Sequence, residues 1–125
     1  MVTPKTRLDD YKWKNPLLFV FSPSPEDRLY QMQMEQLDSI QLAMQDCHLM
    51  VAEIFERGDG RMGQSDLSID SCVHFREKFN VHPGQFKVFL LGSDSEVHLV
   101  SEDCISWQEL MMRVDNVSRF HSFML

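Results

Sequence analysis

Trp13-Lys14-Asn15-Pro16-Leu17-Leu18-Phe19-Val20-Phe21-Ser22-Pro23-Ser24 is the stretch on which the fold turns. The run from Leu17 to Phe21 is too short for a globular helix and has no polar alternation. Such a run reads as a strand buried on both faces of a parallel or mixed sheet. Ser24-Pro25-Glu26-Asp27 follows at once. A hydroxyl, then proline, then acids spell a helix start, with Ser24 as the expected N-cap and Pro25 at the first helical position. A buried strand running into a helix places the corner Ser22, Pro23, Ser24 and Pro25 at the carboxyl edge of the sheet, where α/β proteins usually carry their sites. Trp13, just ahead of the strand, is expected to close one end of the core.

Outward from this corner the chain alternates strand and helix. Pro25 to about Cys47 has a helical pattern, with Leu29, Met32, Leu37, Ile40 and Met44 as the apolar stripe and Gln31, Gln33, Glu35, Gln41 and Gln45 facing out. His48 to Phe55 reads as a second strand whose apolar run is broken only by Glu53. Arg57 to Ser68 contains three glycines and reads as a loop. Ile69 to Phe79 reads as a second helix burying Ile69, Cys72, Phe75 and Phe79, with Asn80 as a left-handed C-cap. Phe86 to Leu91 is a third buried strand, and Gly92-Ser93-Asp94-Ser95 turns it into an edge strand, Val97 to Val100. Ser106-Trp107-Gln108-Glu109 is a capping box opening a last helix, with Trp107, Leu110, Val114 and Val117 inward. The order β-α-β-α-β-β-α predicts an α/β thioredoxin-like fold: a four-stranded mixed sheet with helices on both faces. One domain over 8–125 is expected, with 1–7 a disordered arm.

Composition narrows the function. At 125 residues there is room for one core. The net charge of -7 argues against nucleic acid and anionic membrane as partners. No apolar window is long enough to span a bilayer. Residues 1–16 lack the apolar core of a signal peptide. A native start at Met1 therefore predicts the cytoplasm, and a trimmed leader would predict an extracellular or periplasmic place.

Leu8-x-x-Tyr11-x-Trp13-Lys14-Asn15 followed by Leu17 to Ser24 resembles the opening of an uncharacterised thioredoxin-like domain family. That domain occurs alone in bacterial proteins and at the C-terminus of animal sushi-repeat-containing extracellular proteins. Phe75-Arg76-x-Lys78-Phe79-x-Val81 and Phe86-x-Val88-x-Leu90-Leu91-Gly92-x-Asp94 resemble two further motifs of the family. The ending departs, with only Val114-Asp115 and Met124 matching. The resemblance implies the fold over nearly the whole chain. It implies no reaction, because the family has no agreed activity.

In a redox-active thioredoxin the strand-to-helix corner holds a cysteine whose thiolate the helix N-terminus stabilises. Here that corner holds serines and prolines. The nearest proline to the third strand, Pro83, lies three residues before Phe86, off the position where thioredoxins carry their cis-proline. Cys47, Cys72 and Cys104 form no Cys-x-x-Cys and read as reduced core residues, with one disulfide or one atypically placed reactive thiol as the alternatives. Gly58-Asp59-Gly60-Arg61-Met62-Gly63 matches G-x-G-x-x-G and follows a strand, but that strand is the second, Gln64 to Asp66 do not open a helix, and no acid sits about 20 residues on at a strand end, so the motif lacks the context of a nucleotide site. His48, His74, His82, His98 and His121 show no metal spacing. The expectation is a redox-inactive domain without cofactor or metal that binds a protein or peptide. A thiol-dependent reductase or peroxidase is one alternative, and a binder of small anions at the Ser22–Ser24 corner is another.

Overall fold

The computed structural model describes residues 16–41, 48–57, 59–92 and 96–113. Trp13, Cys47, the turn 93–95, Val114, Val117 and the apolar tail lie outside the described residues, as does the proposed arm 1–7. Six strands form one mixed sheet: β1 (Leu17–Ser22), β2 (Met50–Phe55), β3 (Gly60–Met62), β4 (Ser65–Leu67), β5 (Lys87–Leu91) and β6 (Val97–Ser101). Their spatial order is β4-β3-β2-β1-β5-β6. The expected four strands are there, and Arg57 to Ser68 adds a hairpin, β3–β4, to the sheet beyond β2.

All six residues of β1 are buried. It pairs parallel with β2 on one edge and antiparallel with β5 on the other. Successive side chains of a strand point to opposite faces, and β1 feeds two cores. Leu17, Phe19 and Phe21 meet Ile54, Phe75, Phe89 and Cys72 beneath helix α2 (Ile69–Lys78). Leu18 and Val20 meet Leu37, Ile40, Val88, Leu90 and Leu110 beneath helix α1 (Arg28–Asp38) and the helical residues 107–113. Helices therefore cover both faces. On the α2 side Phe19 has Phe75 and Phe79 at centroid distances of 5.1 and 4.8 Å, tilted as aromatic quadrupoles prefer.

The helix ends follow side-chain chemistry. Ser68 Oγ accepts from Ser71 N–H at 3.1 Å to start α2. Asn80, with φ 58°, ends it as predicted, and Val81 N–H closes back on Arg76 C=O at 2.9 Å. Ser106 Oγ likewise accepts from Glu109 N–H at 3.2 Å, half of the expected capping box.

Several inward assignments change. Gln33, expected on the surface, is fully buried, and Met32, expected inside, is 40 % exposed. The inward arc of α1 is Tyr30, Gln33 and Leu37, with Ile40 buried in the turn just after it, because Gln33 satisfies a buried backbone. Its Oε1 accepts from Ile105 N–H at 2.8 Å and its Nε2 donates to Ile105 C=O at 3.1 Å. Ile69 is exposed rather than buried. The buried arc of α2 is Ser71, Cys72 and Phe75, and at 3.6 residues per turn Ile69 lies roughly 110° from its centre. Trp107 is also exposed, its N–H bonded to Gln36 Oε1 at 2.9 Å.

The β3–β4 hairpin explains the glycines that read as a loop. Gly63, with φ 63°, turns the chain between the two strands. Gly60 packs so closely that a Cβ there would run into the Glu53 carbonyl and lie 2.8 Å from Cys72 Sγ. A Gly60→Ala substitution should cost about 1–3 kcal/mol through overpacking. Chemical denaturation of the variant checks this, with the same change at the exposed position Asp59 as the control.

Candidate functional site

The corner after β1 is built by its own hydrogen bonds. Ser22, buried at the strand end, donates from Oγ to Ser24 C=O at 2.9 Å. Asp27 N–H donates to the same carbonyl at 3.2 Å, closing a tight turn over residues 24–27. Pro25 occupies the second position of that turn, where its fixed φ fits. Ser24 is therefore not the N-cap, and Pro25 is not the first helical residue. Asp27 caps α1, its Oδ2 accepting from Leu29 N–H at 3.1 Å and Tyr30 N–H at 3.3 Å. The aspartate takes this role because the proline turn uses up the residues before it. Its carboxylate also offsets the positive end of the helix dipole.

The neighbouring chain ends are tied to this corner. Glu56 N–H donates to Ser22 C=O at 3.0 Å. Glu56 Oε1 accepts from Gly84 N–H at 2.7 Å, and Arg76 Nη1 donates to the Glu56 carbonyl at 3.3 Å. Gly84, with φ 82°, follows Pro83 in a turn closed by Gln85 N–H to His82 C=O at 3.1 Å. The Pro83 segment thus lies at the corner as a fixed turn, and no peptide bond among the described residues is cis.

The thiols sit elsewhere. Cys72 is buried in the α2-side core against Gly60. Burial pushes its pKa up first, and Asp59 adds to this, while backbone donors at Gly60 and Phe55 and the Arg76 charge pull the other way. Cys104 is half-buried beyond β6, its pKa raised by burial and then by Asp103 and Glu35. Both are free thiols. Cys47 lies outside the described residues. The Gly60-Arg61-Met62-Gly63 part of the glycine motif is strand and turn rather than a phosphate loop. His48 has φ 57° in the turn before β2, His98 lies on the edge strand β6, and His82 sits in the Pro83 turn. His74 buries its Nε2 on the flank of α2 without a hydrogen-bond partner. Among the described residues no group of three or more His, Cys, Asp or Glu is placed to hold a metal.

Sequence reasoning noted Glu53 only as a break in an apolar run. In the structure it is half-buried on the α1 side of β2 and accepts a hydrogen bond from the Tyr30 hydroxyl. Arg61 of β3 is its cross-strand neighbour. Tyr30 packs edge-on against Phe55 at 5.0 Å. Its pKa is raised well above the ordinary phenol range, first by burial and then by the Glu53 carboxylate, with Arg61 opposing. Beside this cluster opens a cleft of about 790 Å³ between α1 and the β2–β3 strands. Met34, Leu37 and Val51 give it apolar walls, and Asp38, Glu53 and Arg61 supply its charges. The one available signal was a carboxylate inside a buried parallel strand, which needs a partner.

Two expectations follow. Asp27→Ala should lower stability by about 0.5–2 kcal/mol, and Ser24→Ala, whose contribution here is a carbonyl, should change it little; urea melts of the two compare them directly. Tyr30 holds its proton more tightly folded than unfolded, so its contribution is complete below the unfolded phenol pKa of about 10 and is lost as pH rises through the higher folded value. Tyr30→Phe should therefore flatten the alkaline fall in Tm that the parent protein shows above about pH 10.

Comparison with known proteins places this geometry in context. Residues 7–119 match a family described as Domain of unknown function (DUF4174). The chain is 29% identical over 87 residues to the Sushi repeat-containing protein SRPX2 of Xenopus laevis. That match covers 67% of this chain and 19% of SRPX2, so the chain spans about a fifth of that relative's length. Among solved structures it is similar to the reduced 2-Cys peroxiredoxin of Plasmodium vivax, with a TM-score of 0.63 at 12% identity over 87% of this chain and 80% of that one. It is also similar to the bacterioferritin comigratory protein of Xanthomonas campestris, with a TM-score of 0.58 at 12% identity over 89% and 82%. At such identity these likenesses show a thioredoxin/peroxiredoxin-like fold.

Proposed function

The chain belongs to the DUF4174 family, a domain of unknown function, and from that premise we propose that it is a redox-inactive thioredoxin-like domain that binds a protein or peptide. The observation that carries this reading is the corner itself. Ser22-Pro23-Ser24-Pro25 supplies no sulfur where the fold would need a nucleophile. A hydroxyl there forms no disulfide and takes no oxygen from a peroxide. Asp27 already holds a carboxylate on the first N–H groups of α1, so a thiolate or an added anion at that helix end would meet a like charge. This weighs against the small-anion alternative as well.

Cys72 and Cys104 support the reading in a second way. Reactive cysteines have depressed pKa values and access to solvent. Burial raises both of these, and Cys72 is packed inside the core. A scaffold whose usual chemical position is stripped of sulfur retains a rigid sheet and surfaces that can hold a ligand. The likeness to peroxiredoxins is a likeness of fold and transfers no activity at 12% identity.

The test is thiol chemistry on the purified chain. We expect no turnover of hydrogen peroxide or of insulin disulfides with dithiothreitol as reductant. We expect Cys72 to be alkylated only as fast as the protein unfolds. Turnover lost on replacing Cys47, Cys72 or Cys104 by serine would overturn the reading in favour of a thiol enzyme.

A further inference from the structure

We propose that the cleft between α1 and the β2–β3 strands binds a small zwitterion with apolar side chains, an amino acid or short peptide. Its ammonium would meet Glu53 and Asp38, and its carboxylate would meet Arg61. This rests on reading the chain as a binding domain and moves the ligand away from the β1–α1 corner.

Size and lining set the class. A volume of about 790 Å³ falls within the range of small-molecule sites, roughly 300–1,000 Å³. The walls from Met34, Leu37 and Val51 are apolar and include a flexible thioether, which adapts to branched side chains. The charges are two acids and one guanidinium. A phosphate or nucleotide would meet Asp38 and Glu53 as like charges. A wholly apolar ligand would strip water from Glu53 without replacing its hydrogen bonds, at a cost. A zwitterion answers both signs at once.

Glu53 is the central recognition group. It projects from a paired strand in the middle of the sheet, so its backbone is fixed. The Tyr30 hydroxyl donates to one of its oxygens, which orients the carboxylate. An ionised carboxylate has about four acceptor positions, and Tyr30 uses one of them. A phenol of ordinary pKa, about 10, is already protonated at neutral pH, so Tyr30 stands as a donor to Glu53 there. Arg61, directly across on β3 and exposed, places a planar guanidinium that can take a carboxylate through two hydrogen bonds. Tyr30 is thus a positioning residue, while Glu53 and Arg61 touch the ligand.

The experiment titrates the whole 15N-labelled chain with L-leucine and with Leu-Leu. 4-Methylpentanoate and isopentylamine serve as partners lacking one charge each. The expected result is movement of the Val51, Glu53 and Arg61 amide signals with the zwitterions, saturating at lower concentration than with either singly charged analogue. Tighter binding of leucine identifies an amino-acid site, and tighter binding of Leu-Leu a peptide site. Glu53→Gln and Arg61→Gln should each weaken binding about tenfold or more, the factor for losing one charge-assisted hydrogen bond. Glu53→Gln keeps an acceptor for Tyr30, and Arg61→Gln alters an exposed side chain. If the first failed to fold, the second alone would decide. The proposal is overturned if no signal moves at millimolar ligand, if isopentylamine binds as tightly as leucine, or if the shifts fall at Ser22 to Asp27. Peroxide turnover by the same sample would instead defeat the redox-inactive reading, so the two failures are told apart.

Discussion

The whole architecture depends on one constraint, the two-sided burial of β1. Each of its apolar side chains, Leu17 to Phe21, is worth about 1.5–3 kcal/mol when fully removed from water, and each belongs to one of two separate clusters. Neither face can be left open, so a helix must lie on each. Neither edge can be left open either, because an unpaired backbone group inside a protein is costly. The parallel partner β2 can be reached only by a crossover, and α1 lies within that crossover. The antiparallel partner β5 arrives after α2 has covered the second face. Everything else is attached around this centre.

How legible this was depended on how locally each element is specified. The apolar run of β1, the Asn80 cap and the β5–β6 hairpin are stated by adjacent residues and were read correctly. The β3–β4 hairpin was hidden because its strands are three residues each and only Gly60, Met62 and Leu67 are buried. Arg61, Ser65 and Asp66 are exposed, so the segment has the composition of a loop. The start of α1 was misplaced by three residues because Ser-Pro-Glu fits a cap and a turn equally well by composition. Gln33 looked like a surface residue because its partner, Ile105, is 72 positions away.

The candidate sites follow the same division. The position of the corner and its lack of sulfur were plain in the sequence. That Asp27 would occupy the helix N-terminus was not, since it depends on the turn before it. The Tyr30–Glu53 contact joins α1 to β2 across 23 residues, and the Arg61 register depends on a hairpin that the sequence did not announce. On this scaffold the edge that usually carries chemistry is closed by its own hydrogen bonds. Charged groups converge instead on the side wall of the sheet, under α1.

Gln33 has a consequence for how the molecule opens. Its amide clasps both backbone groups of Ile105 from inside α1, so the chain after β6 is fastened to the helix that follows β1. Proteins open in cooperative units rather than residue by residue. Ile105 has the outward form of an irregular loop, yet its amide proton is guarded by a side chain that leaves only when α1 leaves. In native-state hydrogen exchange Ile105 therefore reports on the first helix, and the two ends of the fold that it joins share one opening event.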